Sequence, residues 1–176
     1  MNALEQELHY PNGDNMPTPG TAMEVTPGIK WIRMALPFAL DHINLWLLRD
    51  ELDGRQGWTV VDCCIARDES RAQWEQIFKS QLEGLPILRV IVTHMHPDHI
   101  GLAGWFMAQG ADLLTSRTAW LMARMLALDV QDRATPEQLT FWRRAGMDAD
   151  RLAQRATERP WNTGDVVHPL PLGFRR

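Results

Sequence analysis

Cysteine is scarce in this chain of 176 residues: only Cys63 and Cys64 are present, and they are neighbours. Adjacent side chains on an extended segment point to opposite faces, which disfavours a structural disulfide between them. A disulfide-built secreted scaffold is thereby set aside, and a reducing compartment fits better. Runs of positive charge are missing as well. The longest are Arg143-Arg144 and Arg175-Arg176, and 18 Lys and Arg against 22 Asp and Glu leave a formal net charge of −4. Holding a phosphate backbone takes several clustered cations, so a nucleic-acid partner is not expected. No apolar run approaches the roughly 18 residues that a membrane-spanning helix requires, so no membrane partner is expected either. Residues 1–23 contain Pro11, Gly13, Pro17, Pro19 and Gly20 but no apolar stretch of the kind found in a secretory leader. They read as a flexible N-terminal tail, and the chain as cytoplasmic.

What remains is an ordinary folded composition. Hydrophobic residues make up 45% and charged residues 23%, close to globular averages of about 45–50% and 25%. A chain of this length buries roughly 70% of its unfolded surface, enough for one core. The eight tryptophans are read as core and interface packing. No internal repeat or low-complexity tract is present.

Apolar residues alternate or run together from Val25 to Met34 and from His42 to Leu48, with Pro37 between, and predict two antiparallel strands. Turn residues at 53–57 lead into Trp58-Thr59-Val60-Val61-Asp62, a third strand ending on a carboxylate. Asp68 and Glu69 open a helix whose apolar positions Trp74, Ile77, Phe78 and Leu82 precede Gly84. The apolar run Ile87–Val92 predicts a strand covered on both faces. It delivers the chain into Thr93-His94-Met95-His96-Pro97-Asp98-His99. Pro97 suits the first position of a second helix reaching Gln109. Ala111–Thr115 is a short strand, and residues 117 to about 156 are helical, with a capping box at Thr135-Pro136-Glu137-Gln138. Val166-Val167-His168 predicts a last strand.

Three of the six histidines lie within six residues, at 94, 96 and 99, with Asp98 among them. Core packing does not produce such a cluster. Imidazole nitrogens and carboxylate oxygens are ligands for a borderline cation such as zinc, and a strand end lets the backbone leave its pleat and turn two rings toward one ion. His94 and His96 would face one ion, and Asp98 and His99 a second. Two ions about 3.5–4 Å apart share a water, lower its pKa toward roughly 7 and hold hydroxide as a nucleophile. The plainer alternative is a set of neutral surface histidines at a helix N-terminus. His9, His42 and His168 stand alone and are read as structural. Asp62 is either a partner orienting a ligand histidine or a turn residue.

The stretch Thr93-His94-Met95-His96-Pro97-Asp98-His99-Ile100-Gly101 resembles the H-x-H-x-D-H signature of the metallo-β-lactamase-fold hydrolases, and the likeness extends from about Glu24 to Ser116. The resemblance implies an α/β fold of the αββα sandwich type, with residues 24–176 supplying its first half plus a helical insertion at about 117–156. It implies His94, His96, Asp98 and His99 as metal ligands, Asp98 also as the catalytic carboxylate, Asp62 as the acidic residue beside the site, and two Zn²⁺ per complete site.

Two features depart from the family pattern. A glycine is common two residues after that aspartate, and Cys64 stands there instead. The later ligands, a Gly-His histidine, a bridging aspartate and a last histidine, have no match, since His168 follows Val167. The chain is therefore expected to be the N-terminal half of a longer hydrolase, with one sheet face left to self-association or to a missing C-terminal half. The leading function is hydrolysis of a small ester or thioester by metal-bound hydroxide. The alternatives are an inactive fragment that binds metal or a partner chain, and, less favoured by the charge, a nuclease of the same superfamily.

Overall fold

A computed structural model describes residue 4 and residues 7–172. The stretch from Val25 to Met34, expected as one strand, is a hairpin: β1 (Met23–Thr26) and β2 (Ile29–Ala35) pair antiparallel, with Thr26 opposite Ile29. Only Pro27 and Gly28 lie between them. Proline presets the first corner of a tight turn, and Gly28, at φ +78°, supplies the left-handed second corner. β3 (His42–Leu52) and β4 (Arg55–Val61) continue the meander, and Trp46 faces Val61 across their ladder.

The helix α1 (Asp68–Ser80) then carries the chain over to β5 (Ile87–Ile91), which lies parallel to β4. A second crossover leads to β6 (Asp112–Leu114), parallel to β5. Its helix is interrupted: α2 (Pro97–Ile100) and α3 (Ala103–Ala108) are separated by Gly101 and Leu102. The Leu102 N–H donates to the Cys64 carbonyl at 3.1 Å and so is not available to continue the helical ladder. The result is a six-stranded sheet in the order β1-β2-β3-β4-β5-β6.

Alternation along the strands sends Ile32, Met34, Leu45, Leu47, Trp58, Val60, Val90 and Leu113 into the core. There they meet Trp74 and Ile77 of α1 and Phe106 of α3. Trp74 meets Phe106 edge-on, with centroids 5.0 Å apart and planes at 84°, an arrangement that aligns the positive ring edge with the negative face. On the opposite sheet face Trp31 and Trp46 stack at 6.5 Å, and both are half-buried, as are Leu48, Ile91 and Leu114. In the segment before β1, Pro17 and Gly20 are buried, and a Cβ on Gly20 would stand 2.5 Å from the Gln76 side chain of α1.

α4 (Arg117–Leu128), α5 (Pro136–Arg144) and α6 (Ala149–Thr157) follow. Their N-caps are Ser116, Thr135 with the full capping box, and Asp148, each accepting a first-turn backbone N–H that the helix itself leaves unpaired. The strand expected at 166–168 does not form. A single 3-10 turn, Thr163–Asp165, precedes Val166. The Val166 carbonyl accepts from Ala66 N–H at 2.8 Å, and His168 N–H donates to Gly101 O at 2.7 Å. These groups are tied to loops beside α2 and so do not enter a ladder. No helix among the described residues is long and apolar enough to cross a membrane.

Candidate metal centre

β4 and β5 run parallel, with Val61 paired to Ile91, so the residues that follow each strand emerge side by side at one end of the sheet. In open sheets with parallel strands, such carboxyl ends are where ligand sites form. Asp62 follows β4 and is buried at 6% exposure. Its φ of +57° lies in the left-handed region that aspartate enters more readily than most residues. Its own N–H donates to Ile91 O at 2.9 Å, and the turn aims its carboxylate into the 92–99 loop.

That carboxylate organises the loop. Asp62 Oδ1 accepts the Thr93 N–H at 2.8 Å, Oδ2 accepts the Thr93 hydroxyl at 2.8 Å, and Oδ2 lies 2.7 Å from His99 Nδ1. Cys63 joins the two loops by a second route, because its N–H and its thiol both donate to the His99 carbonyl, at 2.9 and 3.0 Å. Behind it, the Trp74 indole N–H donates to Cys63 O at 3.0 Å. Cys64, at the position where the family pattern favours glycine, has φ +67°. The tight turn is thus made without glycine, at a strain of roughly 1–2 kcal/mol. Gly101 permits the close approach: a Cβ there would lie 2.5 Å from Cys64 O and 2.6 Å from Ile65 Cα.

The four residues expected as ligands come together as two pairs. His94 Nε2 is 2.9 Å from His96 Nδ1, and His99 Nε2 is 3.3 Å from Asp98 Oδ2. Two ligand atoms on one tetrahedral zinc, each about 2.0–2.1 Å from it, stand about 3.3 Å apart. Each pair therefore matches two neighbouring positions of a coordination shell, and the donors are of the type zinc takes. The His94 and His99 rings are 3.9 Å apart, centroid to centroid, so the pairs adjoin. Among the described residues no group of three or more His, Cys, Asp or Glu side chains is arranged to hold a metal ion.

Burial lowers the pKa of His94, and the neighbouring His99 and His96 lower it further, so the ring favours the neutral form that a metal ligand needs. His99 is also partly desolvated, which works against its charge, but the Asp62 hydrogen bond and the Asp62 and Asp98 charges outweigh this and raise its pKa.

The other three histidines lie away from this cluster. His42 pairs with Asp41 at 2.5 Å, the His168 backbone holds Gly101, and His9 lies exposed before β1. Sequence reasoning missed Thr93. Its hydroxyl is within reach of His94 Nδ1 (3.1 Å) and His99 Nδ1 (3.3 Å) as well as Asp62, and the only signal was its place between a strand end and the first histidine.

Residues 39–169 match the metallo-beta-lactamase superfamily. A beta-lactamase domain protein from Burkholderia ambifaria is similar in structure, with 44% identity and a TM-score of 0.83, over 99% of this chain and 49% of that one. A metallo-beta-lactamase family protein from Thermus thermophilus matches at 22% identity and a TM-score of 0.53, over 87% of this chain and 47% of that one. This chain spans about half the length of each. No curated protein matches it. The mixed α/β sheet with its helices is that of the metallo-beta-lactamase fold, and with a family match over most of its length the chain belongs to the metallo-beta-lactamase superfamily.

Proposed function

We propose that this chain carries the metal-binding half of a zinc-dependent hydrolase acting on a small ester or thioester. The observation that carries the reading is the pairing of His94 with His96 and of Asp98 with His99 on one loop, with His99 anchored by Asp62. His94 Nε2 and His96 Nδ1 would hold one ion, and Asp98 and His99 Nε2 the other. Zinc held there supplies a Lewis acid for the scissile carbonyl and lowers the pKa of water to about 7.

The chain's own residues provide the rest. Asp62 accepts a hydrogen bond from His99 Nδ1–H, which leaves Nε2 with its lone pair toward the site. Thr93, held by Asp62 through its N–H and its hydroxyl, fixes the start of the loop. Asp98 accepts a hydrogen bond from the attacking water and orients it toward the carbonyl. The net negative charge and the missing basic clusters support a small substrate over a nucleic acid, and the buried free thiols support a reducing, cytoplasmic setting.

The test pairs zinc analysis with turnover of a p-nitrophenyl ester and an acyl thioester. We expect bound zinc, turnover of one of the two, and loss of both properties in His96→Ala. Zinc binding without turnover would favour a second reading, a metal-binding half-site that needs another polypeptide. Folded protein indifferent to zinc overturns both.

A further inference from the structure

Residues 166–171, Val-Val-His-Pro-Leu-Pro, form neither helix nor strand, yet Val166, Val167 and Leu170 are buried at 4–7% exposure. Pro169 and Pro171 hold this strap extended, since each fixes its own φ and turns the residue before it away from the helical region. The strap's backbone is bonded to three other parts of the chain. Val166 O accepts the Ala66 N–H at 2.8 Å, His168 N–H donates to Gly101 O at 2.7 Å, and Leu170 O and Pro171 O accept from α4.

The first two attachments lie beside the candidate metal centre. Ala66 follows the turn that begins at Asp62, and Gly101 comes two residues after His99. Asp62 and His99 are the pair in contact at 2.7 Å. Val166 and His168, two residues apart, therefore tie together the same two segments that this pair joins, and the segments cannot separate without breaking a strap bond. At Gly104 the fit is direct: a Cβ there would overlap Pro169 O and lie 2.9 Å from His168 Nδ1. The absence of a side chain lets α3 lie against the strap.

The far end is held by α4. Arg124 Nη1 donates to Leu170 O at 2.5 Å, and the Trp120 indole N–H donates to Pro171 O at 3.3 Å. The Arg124 guanidinium also stands 5.3 Å from the Trp120 ring centroid, one turn away on the same helix, so each donor restricts the other. A charged donor makes the stronger kind of hydrogen bond.

We propose that Arg124 is a positioning residue for the metal centre: by holding the strap at Leu170 it keeps Ala66 and Gly101, and through them Asp62 and His99, at the spacing that a metal ion requires. The inference rests on the zinc reading above. It gives α4, which supplies no ligand, a part in metal affinity.

The test uses the full chain and three variants. Arg124→Ala removes the donor to Leu170 O and keeps a good helix former in α4, and Gly104→Ala suits α3 as a helix but pushes Pro169 away. In metal-free protein, hydrogen exchange at the Ala66 and His168 amides quickens about tenfold in both, with circular dichroism unchanged. Zinc affinity, read by competition against a chelator, falls about tenfold, the lower end of the range for groups that orient a metal ligand. Arg124→Lys keeps a charged donor and restores most of that affinity. Faster exchange with wild-type zinc affinity overturns the proposal and leaves the zinc reading intact. So does unchanged exchange in Arg124→Ala, because the strap would then be held without that residue. A lysine variant as weak as the alanine one also overturns it, since the donor would not matter. A wild-type chain that takes up no zinc defeats the zinc reading, and the positioning role with it.

Discussion

Asp62 Oδ2 and His99 Nδ1 lie 2.7 Å apart across 37 residues of sequence. The same carboxylate receives the backbone and side chain of Thr93. One buried group thus has two separable contacts: it accepts from the donors of Thr93 at the start of the loop, and it stands against Nδ1 of His99, where a carboxylate favours a proton on that nitrogen.

Two substitutions separate those contacts. Asp62→Ala leaves the Thr93 donors without a buried acceptor and should destabilise the metal-free protein by about 2–3 kcal/mol, while lowering zinc affinity by roughly 10–100-fold. Asp62→Asn keeps a carbonyl oxygen for Thr93 and tolerates the left-handed φ, so stability should hold. Its amide, however, would donate to His99 Nδ1 and push the proton to Nε2, and zinc affinity should fall as in the alanine variant. Urea unfolding and competition against a zinc chelator read the two effects. Wild-type affinity in Asp62→Asn would rule out the positioning role.

Gly101 is the point where α2 passes against the Cys64–Ile65 backbone. A methyl group there would meet Cys64 O and Pro97 O at 2.5 Å, and neither is a side chain that can swing away. Gly101→Ala should cost about 1–3 kcal/mol, which for a domain of this size lowers Tm by about 2–4 °C per kcal/mol. Thermal unfolding followed by circular dichroism checks this, and an unchanged Tm would mean that the loops separate without penalty.

Both thiols are fully buried, and burial raises the pKa of each, with the charge of Asp62 adding to the effect at Cys63 and that of Asp98 at Cys64. Native protein at pH 8 should resist iodoacetamide, and urea-unfolded protein should take up two labels. The sign of the pH effect follows from Cys64. Its thiol stays protonated in the fold but ionises in the unfolded chain near pH 8.5, so its contribution to stability is intact below that pH and declines as pH rises above it. Cys64→Ala should flatten the alkaline fall in urea midpoint, and an identical fall in the variant would refute the assignment.

The candidate metal loop was legible because its proposed ligands are nearly contiguous: His94, His96, Asp98 and His99 cluster in the sequence without reference to the fold. The role of Asp62 was only half legible, since the contact with His99 is made in space by the parallel pairing of β4 and β5. The missing glycine at position 64 counted against the reading of Asp62, yet Cys64 adopts the left-handed path, with its carbonyl held by the Leu102 N–H. The same bond divided the helix expected from Pro97 to Gln109, and no periodicity in the sequence reports a bond of that kind. Pro27-Gly28 was a readable turn signal, hidden within an apolar run long enough for one strand. Val166 and Val167 had strand composition, but tertiary hydrogen bonds to Ala66 and Gly101 claimed the backbone around them.

The order of strands in the sheet follows the order of the chain from β1 to β6. Each strand therefore finds its neighbour already made as the polypeptide leaves the ribosome, and the sheet can lengthen one strand at a time during synthesis. Asp62 follows the strand onto which β5 is laid, and its turn closes only when β5 and the histidine loop arrive, because its N–H bonds Ile91 O and the Cys63 N–H bonds His99 O.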